Sequence, residues 1–119
     1  MLVTKNSILL SAPNLEGNEW EYIKECLETG WVSSAGEYVD LFEKKIADYT
    51  GAKHAVSCVN GTTALQVSLR LAGVQQGNEV IVPSLTFIAP INAVSYNGAV
   101  PVFMDADEYY NLDAEKTLE

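Results

Sequence analysis

The 119-residue sequence has few of the residues that build metal sites and disulfide frameworks. It contains two cysteines and one histidine. The positions of Cys26 and Cys58 fit neither metal-ligand spacing nor a disulfide pattern. We therefore predict no metal site and two reduced core thiols, the first on a helix and the second on a buried strand. His54 has no partner suited to catalysis, so we expect it to be structural.

Basic residues are also scarce, and there is no long apolar run. The 7 lysines and arginines against 16 acidic residues give a formal charge of −9, which disfavours nucleic acids and anionic membranes as partners. Small phosphorylated ligands stay possible, because backbone N–H groups can bind a phosphate without a basic side chain. No stretch approaches the roughly 18 apolar residues of a membrane span, and the first residues do not resemble a signal peptide. The sequence predicts a soluble, cytoplasmic protein.

Two amphipathic helices are predicted within residues 1–53, after an opening segment through Pro13 without clear periodicity. Each has apolar residues at helical spacing and ends at a glycine, Gly30 and Gly51 respectively. The apolar positions are Trp20, Ile23 and Leu27 in the first helix and Val39, Phe42, Ile46 and Tyr49 in the second. Because no strand signal precedes them, we expect both helices to pack on a sheet formed by later residues.

From residue 54 onward, short apolar runs alternate with helical segments, which is typical of an α/β fold with parallel strands. The predicted strands are 54–59, 80–83 and 100–104. The predicted helices begin near Ala64, Ala89 and Ala114; Gly73 closes the first, and the last continues to the end of the sequence. Three parallel strands leave two open edges, so we expect the chain to be a fragment of a larger sheet.

The strongest local feature is the turn Asn60-Gly61-Thr62-Thr63-Ala64, between the first predicted strand and its helix. The first N–H groups of a helix have no acceptor within it, and the helix dipole favours an anion there. Gly61 would allow close approach of a phosphate, while Thr62 and Thr63 offer N–H and hydroxyl donors. Alternatively, Thr62 or Thr63 merely caps the helix. Neither the G-x-G-x-x-G nor the G-x-x-x-x-G-K-[ST] pattern is present, which favours a small phosphorylated cofactor.

Phe87 follows the second predicted strand, near the edge where open parallel sheets bind ligands. It could stack on a flat ring, although an aromatic residue there more commonly fills the core. Asp105 and Asp107 follow the third strand, where turn and capping roles are common, and we assign them no function.

Several ordered segments together resemble the DegT/DnrJ/EryC1/StrS family of pyridoxal 5'-phosphate (PLP) dependent sugar aminotransferases, from about Pro13 to the end. The matching segments are Gly30-Trp31-Val32-Ser33-Ser34-Ala35-Gly36, Phe42-Glu43, Asn60-Gly61-Thr62-Thr63-Ala64-Leu65, residues 77–89, Asn92-Ala93 and residues 98–105. The resemblance implies a three-layer α/β/α fold with a mostly parallel sheet, the fold-type-I large domain. Residues 1–53 would be a helical N-terminal segment and residues 54–119 the start of the PLP-binding large domain, with the second half of the enzyme absent.

The resemblance also implies functions for individual residues. Gly61, Thr62 and Thr63 would bind the PLP phosphate, and Phe87 would stack on the pyridine ring. Ser33 and Ser34 would lie near the active site and contact the substrate or the neighbouring subunit of a homodimer, unless they only join two helices. No catalytic residue is expected in this chain, because the Schiff-base lysine and the carboxylate facing the pyridine nitrogen lie beyond residue 119 in the family.

The implied reaction transfers an amino group from an amino acid, usually glutamate, to a nucleotide-linked keto-sugar, in cell-surface polysaccharide or amino-sugar biosynthesis. We expect the isolated chain to be inactive. Three alternatives stay open: a sugar dehydratase of the same family, a small noncatalytic α/β domain that binds a phosphorylated ligand, and an interaction module without a ligand.

Overall fold

The computed structural model describes Ile8 and residues 11–118, so the opening segment through Pro13 lies mostly outside the described residues. Five helices and two strands are present in the described part. The helices are α1 (Glu19–Thr29), α2 (Glu37–Thr50), α3 (Gly61–Leu71), α4 (Ile88–Tyr96) and α5 (Ala114–Thr117), and the strands are β1 (Glu79–Pro83) and β2 (Val100–Met104).

The two predicted N-terminal helices are confirmed as α1 and α2. Each is followed by a glycine in the left-handed region, Gly30 at φ 74° and Gly51 at φ 73°, which a residue without Cβ adopts readily. Neither helix makes extensive contact with β1 or β2, and neither has a buried residue. The expectation that they pack on the sheet is therefore wrong for the described residues, where α4 covers the strands.

The helices α1 and α2 contact each other through a few side chains, and their apolar faces stay largely exposed. The rings of Tyr22 and Tyr38 have centroids 5.1 Å apart, and the Tyr38 hydroxyl donates to Oε2 of Glu25 at 2.5 Å. This hydrogen bond, followed by burial, raises the pKa of Tyr38 to about 12. A largely apolar groove of about 550 Å³ runs between the two helices, and Trp31 on its wall is 65% exposed.

The strands β1 and β2 confirm the prediction of parallel strands at 80–83 and 100–104. Their register runs from Glu79 opposite Val100 to Pro83 opposite Met104, so both strands end together. The N–H of Ser84 donates to the Met104 carbonyl at 2.8 Å, which holds the chain leaving β1 against the end of β2.

The predicted strand 54–59 is wrong: residues 54–58 are irregular. A strand exists only when its backbone groups pair with a neighbour, and the described residues offer this segment no partner strand. Cys58 is accordingly exposed rather than buried, and Val56 is 82% exposed. Cys26 does lie on α1 and is half-buried, and both thiols are free.

The helix α4 forms the centre of the core. Its nine residues include no charged side chain, as expected of a helix with apolar contacts on most sides. Pro90 is tolerated because first-turn N–H groups have no acceptor within the helix. Val94 of α4 is 1% exposed and packs with Val82 of β1 and Ala99, with Leu69 of α3 at the margin. The α/β class with parallel strands is confirmed.

The last helix, α5, begins at Ala114 as predicted, and the Asp113 carboxylate accepts hydrogen bonds from the N–H groups of Glu115 and Lys116. It ends at Thr117 instead of continuing, and Glu119 lies outside the described residues. Among the described helices, none is both long and apolar enough to cross a membrane.

The position of Val94 gives a test of this core. We expect Val94→Ala to lower the free energy of unfolding by about 1–3 kcal/mol, because it leaves a cavity between α4 and the strands. Val67→Ala is the matched control, since Val67 is also helical but 44% exposed, and it should change stability by less than about 0.5 kcal/mol. Urea unfolding monitored by circular dichroism measures both. Equal losses would contradict the assignment of the core.

Candidate functional site

The turn before α3 is capped by Asn60, not by either threonine. The side-chain oxygen of Asn60 accepts the N–H of Thr63 at 2.9 Å and the hydroxyl of Thr63 at 3.1 Å. The Asn60 backbone is extended, with φ −162° and ψ 170°, as is usual for an N-cap residue. The threonines are therefore not the cap of this helix.

Two backbone donors at this turn have no acceptor within the described residues. They are the N–H groups of Gly61 and Thr62, the first two of α3, since the Asn60 side chain accepts only the N–H of Thr63 and the Asn60 carbonyl that of Ala64. The turn is also open, because a Cβ added at Gly61 would meet no atom within 4 Å. Gly61 has no positive φ, so what the glycine provides here is space. An anion could approach both amides directly, where the helix dipole also favours negative charge.

Phe87 stands at the N-cap position of α4, in an extended conformation and without a side-chain cap. Its side chain is 85% exposed, so Phe87 does not fill the core formed by the described residues, and within them the ring is accessible to a ligand. The helices α3 and α4 pack against each other. The side-chain amide of Asn97, just after α4, also donates to the Gln66 carbonyl in α3 at 3.0 Å. The turn and Phe87 thus begin two neighbouring, tethered helices.

Ser33 and Ser34 lie in the loop between α1 and α2, and both are exposed. Ser33 lines the apolar groove between these helices. Within the part of the chain that is described, no hydrogen bond joins either serine to the turn at Gly61 or to Phe87. The structure therefore groups Gly61, Thr62 and Thr63 in one turn and places Phe87 at the start of the adjacent helix, α4. The two serines lie apart from them, in the loop between α1 and α2.

Of the two aspartates after β2, Asp107 has the turn function that its position suggested, and Asp105 forms an ion pair. Oδ1 of Asp107 accepts the N–H groups of Tyr109 and Asn111, both at 2.9 Å, while Asp105 pairs with Lys116 at 3.0 Å. Neither carboxylate is directed to a ligand by these contacts. The described residues contain no cluster of three or more potential metal ligands.

Sequence reasoning missed two parts of this site. Asn60 could have been found, because asparagine just before a helix is a common N-cap. The pair Glu43 and Ser57 could not: Glu43 Oε1 accepts both the N–H and the hydroxyl of Ser57, at 2.8 and 2.9 Å, across fourteen positions of sequence. No periodicity or local motif predicts such a contact.

The family assignment follows from a match over nearly the whole chain. Residues 13–119 match the model of the DegT/DnrJ/EryC1/StrS aminotransferase family. The chain belongs to this family. The matched region includes the capped turn, Phe87 and the loop with Ser33 and Ser34.

Similar proteins and solved structures agree with this assignment. GDP-perosamine synthase of Caulobacter vibrioides is 54% identical over 110 residues, which cover 92% of this chain and 30% of that protein. Spr1654 from Streptococcus pneumoniae, solved in PLP, PMP and apo forms, superposes with a TM-score of 0.82 at 29% identity, covering 92% of this chain and 28% of that one. The 3-amino-5-hydroxybenzoic acid synthase structure gives a TM-score of 0.77 at 38% identity, covering 90% and 28%.

These likenesses confirm the predicted fold class, since the solved relatives include aminotransferases. The chain spans between 26% and 30% of the length of the curated relatives that it matches. What the whole protein does is therefore a matter for proposal.

The cap at Asn60 gives a test that needs no ligand. We expect Asn60→Ala to destabilise α3 by about 1 kcal/mol, because the N–H of Thr63 loses its acceptor. Asn60→Asp keeps a side-chain oxygen there and should match the wild type within a few tenths of a kcal/mol. Urea unfolding and amide exchange at Thr63 report both effects. If Asn60→Ala were as stable and as protected as Asn60→Asp, the cap would not exist in solution.

Proposed function

We propose that this chain is the phosphate-binding part of a PLP-dependent aminotransferase that acts on nucleotide-linked keto-sugars, with glutamate as the amino donor. Residues 54–119 would begin the PLP-binding large domain of a cytoplasmic homodimer, after the two-helix segment 1–53. The observation that carries the proposal is the open turn at Gly61 with its free backbone amides. This turn lies within the region that matches the DegT/DnrJ/EryC1/StrS family.

The described residues fit the cofactor at two points. A phosphoryl group needs several donors and room to approach, and the turn offers the amides of Gly61 and Thr62, the Thr62 hydroxyl and empty space above Gly61. A pyridine ring needs a flat apolar partner, and the exposed ring of Phe87 is available at the start of the adjacent helix. In this proposal Gly61, Thr62 and Thr63 form the phosphate site: Gly61 and Thr62 donate to the phosphate, while Thr63, whose N–H and hydroxyl donate to Asn60, lies beside it. Phe87 covers one face of the ring.

The cofactor, when bound, supplies an electron sink for the amino-group transfer. This chain's contribution is to bind and orient it. Three lysines of the described residues already pair with acids at the surface: Lys24 with Glu28, Lys44 with Asp48 and Lys116 with Asp105. In this proposal the covalent lysine lies outside the chain, and the isolated chain has no transaminase activity.

The substrate class is supported by the names of two relatives. The first is a GDP-perosamine synthase, and another, at 48% identity, is a dTDP-3-amino-3,6-dideoxy-alpha-D-galactopyranose transaminase. Both names contain a nucleotide-linked sugar. In this proposal Ser33 and Ser34, exposed between α1 and α2, contact the substrate or the neighbouring subunit.

The phosphate site can be tested by a substitution that adds one negative charge to the turn. We expect Thr63→Glu to weaken PLP binding by about tenfold or more, because it places a carboxylate beside the phosphate. It should not unfold α3, since glutamate at the third helical position is favourable near the positive end of the helix dipole. PLP titration followed by visible absorbance and by the gain in melting temperature measures binding.

The control for this substitution is Ser68→Glu, which adds the same charge to an exposed position late in α3. It should bind PLP like the wild type. A wild-type chain that binds no PLP, or a Thr63→Glu variant that binds it equally well, would favour a noncatalytic domain or an interaction module over an aminotransferase.

The stacking function of Phe87 is tested separately. We expect Phe87→Ala to weaken PLP binding by about two- to tenfold, the range of an aromatic pair, and to shift the absorption band of the cofactor. Tyr96→Ala is the matched control, because Tyr96 is an exposed aromatic residue at the other end of α4. Equal affinities and spectra for the two variants would show that Phe87 does not touch the ring.

A further inference from the structure

The contact between Glu43 and Ser57 lies close to the phosphate turn but outside it. Glu43 is on α2, and its Oε1 accepts the Ser57 N–H at 2.8 Å and the Ser57 hydroxyl at 2.9 Å, in a part-buried position. Ser57 precedes the capping residue Asn60 by three positions. One carboxylate oxygen therefore joins the second helix to the segment that leads directly into the turn.

This contact supplies the hydrogen bonds that hold residues 53–59 in the described chain. The segment is irregular, and in the described chain none of its other polar groups is hydrogen-bonded. A strand at this place would be fixed by pairing along its whole length. Without pairing, the direction in which the chain enters α3 depends on Glu43.

The carboxylate acts as a hydrogen-bond acceptor and not as half of an ion pair. No lysine or arginine lies within ion-pair distance of Glu43 in the described residues, and nearby Lys44 is engaged with Asp48 at 2.6 Å. The Ser57 N–H and then the Ser57 hydroxyl lower the pKa of Glu43, and partial burial opposes them. At neutral pH the group is thus ionised, the form that accepts these hydrogen bonds best.

We propose that Glu43 is a positioning residue for the phosphate-binding turn, which through Ser57 fixes the segment 53–59 so that the amides of Gly61 and Thr62 are aimed at the phosphate before PLP arrives. The inference rests on the proposed function, because it takes the ligand of the turn to be PLP. Its physical basis is preorganisation: donors that are already oriented lose less freedom when the ligand binds.

The test compares PLP affinity with stability in the full 119-residue chain. We expect Glu43→Ala to weaken PLP binding by about 3- to 10-fold, in line with the net effect of hydrogen bonds of this kind. Amide exchange across residues 57–62 should speed up, and the ³¹P resonance of bound PLP should shift toward its free position. Glu43→Gln, which keeps an acceptor oxygen, should restore most of the affinity.

Two further variants separate positioning from general loss of structure. Ser57→Ala removes only the hydroxyl bond and should lose less affinity than Glu43→Ala, while the double variant should be no worse than Glu43→Ala alone. Glu37→Ala, at the exposed first turn of α2, weakens the same helix without touching Ser57. It should leave PLP affinity and the ³¹P shift unchanged.

The outcomes distinguish this inference from the proposed function. If the wild type binds PLP, Thr63→Glu does not, and Glu43→Ala binds as tightly as the wild type, the positioning inference is overturned while the phosphate site stands. If Glu43→Ala and Glu37→Ala lose affinity equally, Glu43 supports only the helix. A wild-type chain without PLP binding would overturn both proposals.

Discussion

The packing of α4 against the parallel pair of β1 and β2 determines where everything else at the candidate site lies. Val94 is almost fully buried between the two strands and α3. Because the strands end in register at Pro83 and Met104, the chain that leaves them emerges at one edge. The segment up to Phe87 starts from that edge, which is where parallel sheets present ligand-binding residues.

Two contacts fix the helix α3 to this core. Leu69 packs at the margin of the buried cluster, and the side-chain amide of Asn97 donates a hydrogen bond to the Gln66 carbonyl. The start of α3 is therefore held by the packing of the helix. The preceding segment, residues 53–59, is held by hydrogen bonds to a single side chain of α2, that of Glu43. Two kinds of restraint thus meet at Asn60: regular packing on one side and the Glu43–Ser57 contact on the other. This difference explains how a turn can be well placed although no strand leads into it.

Periodicity predicted the elements that depend on local chemistry. The helices α1 to α4 and the strands β1 and β2 follow from apolar spacing, glycine stops and short β-branched runs, and these signals are carried by neighbouring residues. The prediction of a strand at 54–59 was wrong because its apolar residues favour a β conformation, which forms a strand only when a partner strand is present. The prediction that α1 and α2 pack on the sheet was wrong for a related reason. An amphipathic pattern predicts that the apolar face of a helix will be covered, but it does not identify the element that covers it.

The site shows the same division. The open turn was predictable, because a glycine between a β-like run and a helix signals free amides. Capping by Thr62 or Thr63 was the alternative considered there, and Asn60 provides the cap instead. The ligand-facing functions of Gly61, Thr62, Thr63, Phe87, Ser33 and Ser34 came from the family resemblance, and they stay predictions. The Glu43–Ser57 contact joins residues with no local relation, so only the folded chain reveals it.

The charge of the chain raises a last physical question, since a net charge of −9 should repel a phosphorylated ligand. The repulsion acts largely through water and is screened beyond about 10 Å at ordinary ionic strength. Hydrogen bonds from Gly61 and Thr62 act at contact distance, where the helix dipole adds to them. An acidic protein can therefore bind one phosphate with neutral donors while it repels polyanions, whose many charges sample the whole surface. Glu43, which contacts the segment leading into the turn, is ionised, and its Oε1 accepts both donors of Ser57. These donors stabilise its charge at Ser57, three positions before Asn60, without removing it.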